Sequence, residues 1–280
     1  MYPLEPSIVH TTILHHPARP ASCLQLTLDT VRKATKLPHR VELVVQGPPT
    51  DAEWADRIPE PFEEDDFQLE ITYREKNDRI GIPLKTSFEC GMMLGAKWLA
   101  KVDDDMEIPE GAYDTMIRCA ESEDGMEEFI TGAVSLQNES VRATCIKKKR
   151  LHGGQYVFET KKNWPRARRK NQLDQWIVSD VIGASCSLYR REIFDKGCMW
   201  DQKLHVLEDF DISLQMKEKG FSPLICMSQH AIHHKKRCVN AAYRSDRRRV
   251  AWLKESAMRF QEKWGAIPES LRDWIVKWRV

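Results

Sequence analysis

An apolar segment that ends in three consecutive aspartates constrains this chain most. Trp98–Val102 predicts a buried strand, and Asp103, Asp104 and Asp105 follow it directly. Carboxylates this close repel one another, and burial favours their neutral forms, so the cluster is costly without a counter-charge. A hard divalent cation such as Mg²⁺ or Mn²⁺ resolves the conflict, because it prefers oxygen ligands, including substrate phosphates. The alternative is a solvated acidic turn in which Asp104 or Asp105 caps a helix.

Strand-like segments alternate with helix-like segments on both sides of this cluster. The further predicted strands are Ser7–Leu14, His39–Gln46, Phe67–Tyr73, Phe129–Leu136, Ser179–Tyr189 and Pro223–Met227. Amphipathic patterns predict helices between them, one of which begins at Glu208 and stops at Gly220. This alternation predicts an α/β fold with a mostly parallel central sheet and helices on both faces. Ligands of such sheets bind at the carboxyl ends of the strands, where the aspartates would lie.

Composition and cysteine spacing indicate a soluble globular protein. The 280 residues are 41% hydrophobic and 30% charged, and the net charge of +1 provides no global field for a partner. The eight cysteines are spread singly, which indicates neither a zinc knuckle nor a disulfide framework and favours a reducing compartment. The N-terminus lacks signal-peptide features, and no run approaches the ~20 apolar residues of a membrane span. We therefore expect a cytoplasmic protein without a membrane segment.

Three polar groups follow predicted strands and predict a chemical site. They are Asp103–Asp105, the pair Glu208 and Asp209, and His233. Carboxylates with a later imidazole suit a Mg²⁺ or Mn²⁺ ion that holds a diphosphate and acts as a Lewis acid on a departing phosphate. A remaining carboxylate could be a general base on an acceptor hydroxyl. The simpler alternative for Glu208 and Asp209 is that they stabilise the helix dipole.

Two long segments then carry a family resemblance. The first is Lys76–Ile117, KNDRIGIPLKTSFECGMMLGAKWLAKVDDDMEIPEGAYDTMI, and the second is Val181–His234. The second segment contains, in order, Gly183-Ala184, Arg190-Arg191-Glu192, Trp200-Asp201, Glu208-Asp209, Gly220 and His233. This order resembles the GT-A nucleotide-sugar glycosyltransferases, especially the large inverting class called family two, over roughly residues 7–234. A bare D-x-D motif is weak, whereas the ordered series is specific.

The resemblance implies roles for the acidic cluster and the late histidine. Asp105 matches the direct metal ligand of the D-x-D pair, and Asp103 would contact the ribose or reach the metal through water. Asp104, the middle residue, could substitute for either. His233 falls where the family has its metal-binding histidine. The implied cofactor is Mn²⁺ or Mg²⁺, and the implied donor is a nucleoside-diphosphate sugar, most simply a UDP-sugar.

The resemblance also implies a base and a donor pocket. Asp209, with Glu208 beside it, resembles the catalytic base, which implies inversion at the anomeric carbon. Arg79 and Lys85 would touch the diphosphate, although a solvated surface suits both equally.

Two turns depart from the family pattern. Gln46-Gly47-Pro48-Pro49 replaces a D-D-G-S-like turn, and Gln46 can still pair with a base edge because an amide both donates and accepts. His15-His16-Pro17 stands where a P-x-Y-N-like turn is common. Gly183 suits close approach of a ligand.

The resemblance divides the chain into regions. Residues 1–234 form the predicted catalytic domain, with a nucleotide-binding half over 1–105 and an acceptor half over 106–234. The acceptor half includes a long basic loop over 137–175. Residues 235–280 are predicted to form a basic segment and a C-terminal helix that packs on the domain.

Three basic segments raise the question of the acceptor. They are Lys147–Arg150, Lys161–Lys170 and Lys235–Arg249. Solvated surface is the ordinary interpretation of such runs, and a polyanionic acceptor is the alternative. Some bacteriophage glycosyltransferases add sugars to hydroxymethylated DNA bases, so modified DNA is one candidate, in the host cytoplasm if the chain is phage-encoded. A duplex base would have to be flipped out or reached through the groove.

Two other functions stay open. One is a cytosolic glycosyltransferase that acts on a glycan, a lipid-linked sugar or a protein. The other is a nucleotidyltransferase or a catalytically silent module that binds a sugar nucleotide. Sugar nucleotidyltransferases usually carry a glycine-rich loop after the first strand, and His15–Ala21 contains no glycine.

Overall fold

A computed structural model shows an α/β fold built on one large sheet. It describes residues 8–17, 19–47, 58–64, 66–75, 79–121, 130–138, 144–150, 156–162, 168–170, 175–183, 185–234, 247–269 and 271. The strands are β1 (Val9–His15), β2 (His39–Gln46), β3 (Phe62–Glu64), β4 (Phe67–Arg74), β5 (Trp98–Asp103), β6 (Met106–Glu107), β7 (Ile130–Gln137), β8 (Thr144–Arg150), β9 (Tyr156–Lys162), β10 (Arg168–Lys170), β11 (Gln175–Val178), β12 (Cys186–Arg190), β13 (Phe221–His230), β14 (Ile232–His233) and β15 (Ile267–Pro268). The helices are α1 (Ala21–Val31), α2 (Gly81–Met93), α3 (Ala112–Glu121), α4 (Arg191–Asp195), α5 (Glu208–Glu218) and α6 (Arg247–Trp264).

The central sheet has ten strands in the order β10-β11-β13-β7-β12-β5-β1-β2-β4-β3. Strands β5, β1, β2 and β4 are parallel neighbours, and β13 is parallel to β7. Strands β3, β11 and β12 run against the others. The predicted α/β fold with a mostly parallel sheet is confirmed. The carboxyl ends of β1, β2, β4 and β5 therefore meet at one edge of the sheet.

Apolar layers cover both faces of this sheet. One layer contains Leu28 of α1 and Met116 of α3 together with apolar residues of the strands. The other contains Phe88 of α2, Ile193 of α4 and Ile212 of α5. Each fully buried side chain of this size contributes roughly 1.5–3 kcal/mol. The predicted placement of helices on both faces is confirmed.

The region predicted as a basic loop over 137–175 is different in the structure. Its described residues include an antiparallel hairpin of β8 and β9, and the short strands β10 and β11. Lysine-rich segments have little intrinsic preference for strands, so the sequence pattern concealed the hairpin. Burial supplies the stabilisation instead, since Ile146 and Phe158 pack with Phe210 and Leu214 of α5 and Phe260 of α6.

Helix α6 is fastened to α5 and to the loop before it through buried carboxylates. Asp211 is 1% exposed. It accepts hydrogen bonds from Lys263 Nζ at 2.9 Å and from Trp264 Nε1 at 2.8 Å. Arg259 Nε donates to Asp201 Oδ2 at 3.0 Å. The two contacts to Asp211 tie the first turn of α5 to Lys263 and Trp264, which lie 52 and 53 residues later in the chain.

The described cysteines are in two chemical states. Cys90, Cys119, Cys145, Cys186, Cys198 and Cys226 are reduced thiols. Cys23 is disulfide-bonded, so the wide spacing of the cysteines does not by itself indicate a reducing compartment. Within the described part of the chain, no helix combines the length and hydropathy that a membrane span requires.

Candidate metal and carboxylate site

A two-stranded pairing brings the late histidine to the aspartates. Strand β14 pairs antiparallel with β6, so that His233 lies opposite Met106. Met106 directly follows the three aspartates in the chain. The His234 N–H donates to the Asp105 carbonyl at 2.9 Å, which fixes the two segments further. Residues more than 120 positions apart thus meet at the carboxyl end of β5.

Asp103, Asp105 and His233 form a set that could hold a metal ion. One ligand atom from each lies within 4.8 Å of the other two. His233 Nε2 is 3.0 Å from Asp105 Oδ1 and 4.0 Å from Asp103 Oδ2. His233 Nδ1 is buried, with no hydrogen-bond partner among the residues that the structure describes. Two carboxylates and one imidazole fit a divalent cation such as Mn²⁺ or Mg²⁺.

Asp104 pairs with His15 and Arg19. His15 Nδ1 lies 2.6 Å from Asp104 Oδ2, and Arg19 Nη1 forms an ion pair with Asp104 Oδ1. Asp104 is only 3% exposed. The structure therefore separates Asp104 from the Asp103–Asp105–His233 set, whereas its sequence position allowed it to replace either neighbour.

A buried lysine links the metal set to the acidic pair at the start of α5. Lys101 Nζ lies 3.4 Å from Asp103 Oδ1 and 3.5 Å from Glu208 Oε1. Burial by itself favours the neutral amine, but the carboxylates of Asp103, Glu208 and Asp209 hold the Lys101 pKa above its ordinary value. Lys101 is thus a fixed positive charge between the two acidic groups. The sequence did not indicate this role of Lys101, because the residue lies within an apolar run.

Burial raises the pKa values of Glu208 and Asp209. Burial and then the Asp209 charge raise the pKa of Glu208 from 4.5 to about 7, against the opposing effect of Lys101. Burial likewise raises the pKa of Asp209, again opposed by Lys101. Carboxylates with raised pKa values are better general bases than ordinary ones.

The backbone before this pair is in an uncommon conformation. Leu207, which precedes α5, has a φ of 71° and a ψ of 13°, in the left-handed region. Among the residues that the structure describes, it has the one positive φ that does not belong to glycine. This conformation costs a leucine about 1–2 kcal/mol. Strain of this kind is often found at functional sites.

Gln46 and Gly183 lie at strand ends or near them. Gln46 is the last residue of β2. Its Oε1 atom is buried and has no hydrogen-bond partner within the described ranges. The Gly183 N–H donates to Ser135 Oγ at 2.7 Å. The buried amide oxygen of Gln46 lies at the edge of the sheet where the carboxyl ends of β1, β2, β4 and β5 meet.

The two predicted diphosphate contacts have partners elsewhere. Arg79 donates to His205 Nε2 at 3.0 Å and to Glu255 Oε1 at 2.9 Å. Lys85 Nζ lies 3.6 Å from Glu89 one helical turn away. Between described residues, the structure shows no contact of either side chain with the aspartates.

Comparison with known proteins gives distant similarities of fold. No protein-family model and no curated protein matches the sequence. The mannosyltransferase PcManGT from Pyrobaculum calidifontis, in complex with GDP-Man and Mn²⁺, is 14% identical with a TM-score of 0.46, over 91% of this chain and 62% of its own. TarS 1–349 from S. aureus, in complex with UDP-GlcNAc, is 10% identical with a TM-score of 0.49, over 90% of this chain and 66% of its own. This chain spans less than two thirds of either protein, so the function proposed below rests on the site.

Proposed function

We propose that the chain is a metal-dependent glycosyltransferase that moves a sugar from a nucleoside-diphosphate sugar, most simply a UDP-sugar, to an acceptor hydroxyl. One observation carries the proposal. The Asp103–Asp105–His233 set lies at the carboxyl end of β5, and Lys101 Nζ lies within 3.5 Å of both Asp103 and Glu208, the neighbour of Asp209. The ordered motifs that resemble GT-A glycosyltransferases supply the reaction class.

Some residues of the site would bind the metal ion, and others would accept the proton of the acceptor. Asp105, His233 and Asp103 would hold Mn²⁺ or Mg²⁺, which when bound neutralises charge on the departing diphosphate. Asp209, with Glu208 beside it, takes the proton of the acceptor hydroxyl as its oxygen attacks the anomeric carbon. The bond between that carbon and the diphosphate oxygen breaks, and its electron pair leaves with the phosphate. A single displacement of this kind inverts the anomeric configuration.

The test is release of nucleoside diphosphate from a panel of sugar nucleotides, with Mn²⁺ or with EDTA. We expect turnover with Mn²⁺ and none with EDTA. We also expect losses of at least about 100-fold in Asp105→Ala, which removes a metal ligand, and in Asp209→Asn, which removes the general base. Glu89→Gln, a helical surface substitution, is the matched control. Full activity of Asp105→Ala would overturn the metal assignment. Formation of a nucleoside triphosphate and a sugar 1-phosphate when pyrophosphate is added would instead identify a nucleotidyltransferase, and binding without turnover would identify a silent module.

The acceptor that we propose is a polyanion, with DNA that carries hydroxymethylated bases as one candidate. Support comes from the hairpin, where Lys147, Lys149 and Arg150 are exposed on β8. Lysines and arginines that neutralise phosphates release counterions and give affinity without sequence preference. The segment Lys161–Lys170 is described only in part, and most of Lys235–Arg249 lies outside the described residues.

Charge reversal on β8 tests this proposal. We expect Lys147→Glu with Lys149→Glu to reduce glycosylation of duplex DNA containing hydroxymethylpyrimidine, and we expect turnover to fall steeply with salt. Lys196→Glu, another exposed lysine, is the control. Turnover on a glycan, a lipid-linked sugar or a protein, with no response to modified DNA at low salt, would contradict the DNA acceptor.

A further inference from the structure

We propose that Arg19 binds the diphosphate of the donor beside the metal site, and that Asp104 and His15 are positioning residues that hold Arg19 there. This inference rests on the proposed function, because it concerns the ligand of the same site. None of the three residues belongs to the Asp103–Asp105–His233 set, and Arg19 follows β1 in a turn that departs from the family pattern.

The position of Arg19 relative to Asp105 is the first observation. Arg19 Nη1 lies 3.4 Å from Asp105 Oδ2. The other oxygen of the same carboxylate, Oδ1, lies 3.0 Å from His233 Nε2. The guanidinium and the imidazole therefore contact different oxygens of one carboxylate. A diphosphate held by a metal ion among these ligands would come within reach of the guanidinium.

The burial of Asp104 is the second observation. A buried carboxylate is costly unless it is paired, and both oxygens of Asp104 are paired, Oδ2 with His15 and Oδ1 with Arg19. His15, the last residue of β1, is itself fully buried. The Asp104 side chain is 3% exposed, whereas the Arg19 side chain is 23% exposed. The buried side chains of Asp104 and His15 thus hold one end of the Arg19 guanidinium, while the Arg19 side chain remains partly exposed.

The chemistry of the guanidinium fits a diphosphate. Arginine carries five N–H donors in a planar fork that matches carboxylate and phosphate oxygens. It can therefore bind a carboxylate and a phosphate together. The carboxyl groups of Asp103, Asp104, Asp105, Glu208 and Asp209 outnumber the fixed cations Lys101 and Arg19 that contact them. An anionic ligand in this environment needs a cation beside the metal, and Arg19 is placed to supply it.

The test separates diphosphate binding from metal binding and from folding. Binding of Mn²⁺ to the free protein is measured by electron paramagnetic resonance, and binding of UDP and of uridine is measured by calorimetry in saturating Mn²⁺. In Arg19→Ala we expect UDP to bind about tenfold more weakly or worse, the loss of a charge-assisted hydrogen bond. Uridine should bind as in the wild type, and Mn²⁺ should bind at least as tightly, because a cation beside Asp105 has been removed. Arg19→Lys should recover only part of the UDP affinity, because lysine lacks the fork.

Asp104→Asn and a control complete the design. Asp104→Asn should weaken UDP more than uridine, since it frees the guanidinium from its anchor. Arg32→Ala, which removes a half-exposed arginine paired with Glu64, should change neither.

Three results would decide against the inference. UDP affinity equal to wild type in Arg19→Ala would overturn it, as would an equal loss of uridine or Mn²⁺ binding, which would show a structural role. A wild-type protein that binds Mn²⁺ but none of UDP, GDP, ADP, CDP and dTDP would refute the proposed function itself, and this inference with it.

Discussion

Replacing Glu208 with glutamine tests the electrostatics of the buried acidic pair. Glu208 is 7% exposed, and burial with the Asp209 charge raises its pKa from 4.5 to about 7. Between these two values the folded protein keeps a proton that the unfolded chain releases. Protonation therefore stabilises the fold fully below pH 4.5, and this contribution is lost as the pH rises through about 7. Glutamine is neutral at every pH and resembles the protonated acid.

The size of the effect follows from the separation of the two pKa values. A gap of roughly 2.5 units corresponds to about 3 kcal/mol, since each unit is about 1.4 kcal/mol. Glu208→Gln should thus be more stable than the wild type by about 3 kcal/mol at pH 8 and by about 1 kcal/mol at pH 5. Glu208→Gln would thus be more stable than the wild type, but it would lack the carboxyl group of Glu208 at the site.

Urea denaturation at the two pH values measures this difference. EDTA is present throughout, so that bound metal does not alter the charge near Lys101. Glu89→Gln, on the surface of α2, controls for loss of a carboxylate and should shift the free energy of unfolding by less than about 0.5 kcal/mol. A stability gain by Glu208→Gln that is the same at pH 5 and pH 8, or no gain at pH 8, would refute the argument that burial controls this carboxyl group.

Three further predictions concern the fold and the metal site. Asp211→Asn should lower the free energy of unfolding by about 1–3 kcal/mol, because a neutral amide replaces the buried carboxylate that accepts from Trp264 Nε1 and pairs with Lys263; urea denaturation measures this, and a loss below ~0.5 kcal/mol would contradict it. Gly91→Ala should cost about 1–3 kcal/mol in a thermal melt, since the new Cβ would lie 2.7 Å from the His10 ring; an unchanged melting temperature would show that the ring moves freely. Mn²⁺ at 100 times its dissociation constant should add about 2.7 kcal/mol of stability to the wild type and nothing to Asp105→Ala; equal stabilisation of both would place the ion elsewhere.

Local patterns in the sequence were sufficient for the sheet and for the ends of several elements. His39–Gln46 is a strand with the predicted bounds. Helix α5 begins at the predicted Glu208, and Gly220, just beyond its end, has a φ of 82° as a terminating glycine should. Each of these features is encoded by neighbouring residues, through alternation, helical spacing or a backbone requirement.

Long-range polar pairing was not accessible in the same way. Lys101 sits in an apolar run, and only the fold shows that it faces Glu208, more than 100 residues later. Arg19 and Asp104 are separated by 85 residues, and no local spacing connects a proline-rich turn with the end of a distant strand. The hairpin of β8 and β9 was missed because its lysines obscured the few apolar positions that pack against α5 and α6.

The contacts that fasten α6 to Asp211 have a consequence for synthesis of the chain. Asp211 is translated about 50 residues before Lys263 and Trp264. At roughly 5–20 residues per second, the ribosome adds these partners several seconds after it has added Asp211. Until then the buried Asp211 carboxylate lacks its cation, and the helix that begins with Glu208 and Asp209 lacks its support. Asp103 and Asp105 are translated before the acidic pair and His233 after it. The nascent chain therefore completes the metal set only after the pair has been translated, and it adds the contacts of α6 later still.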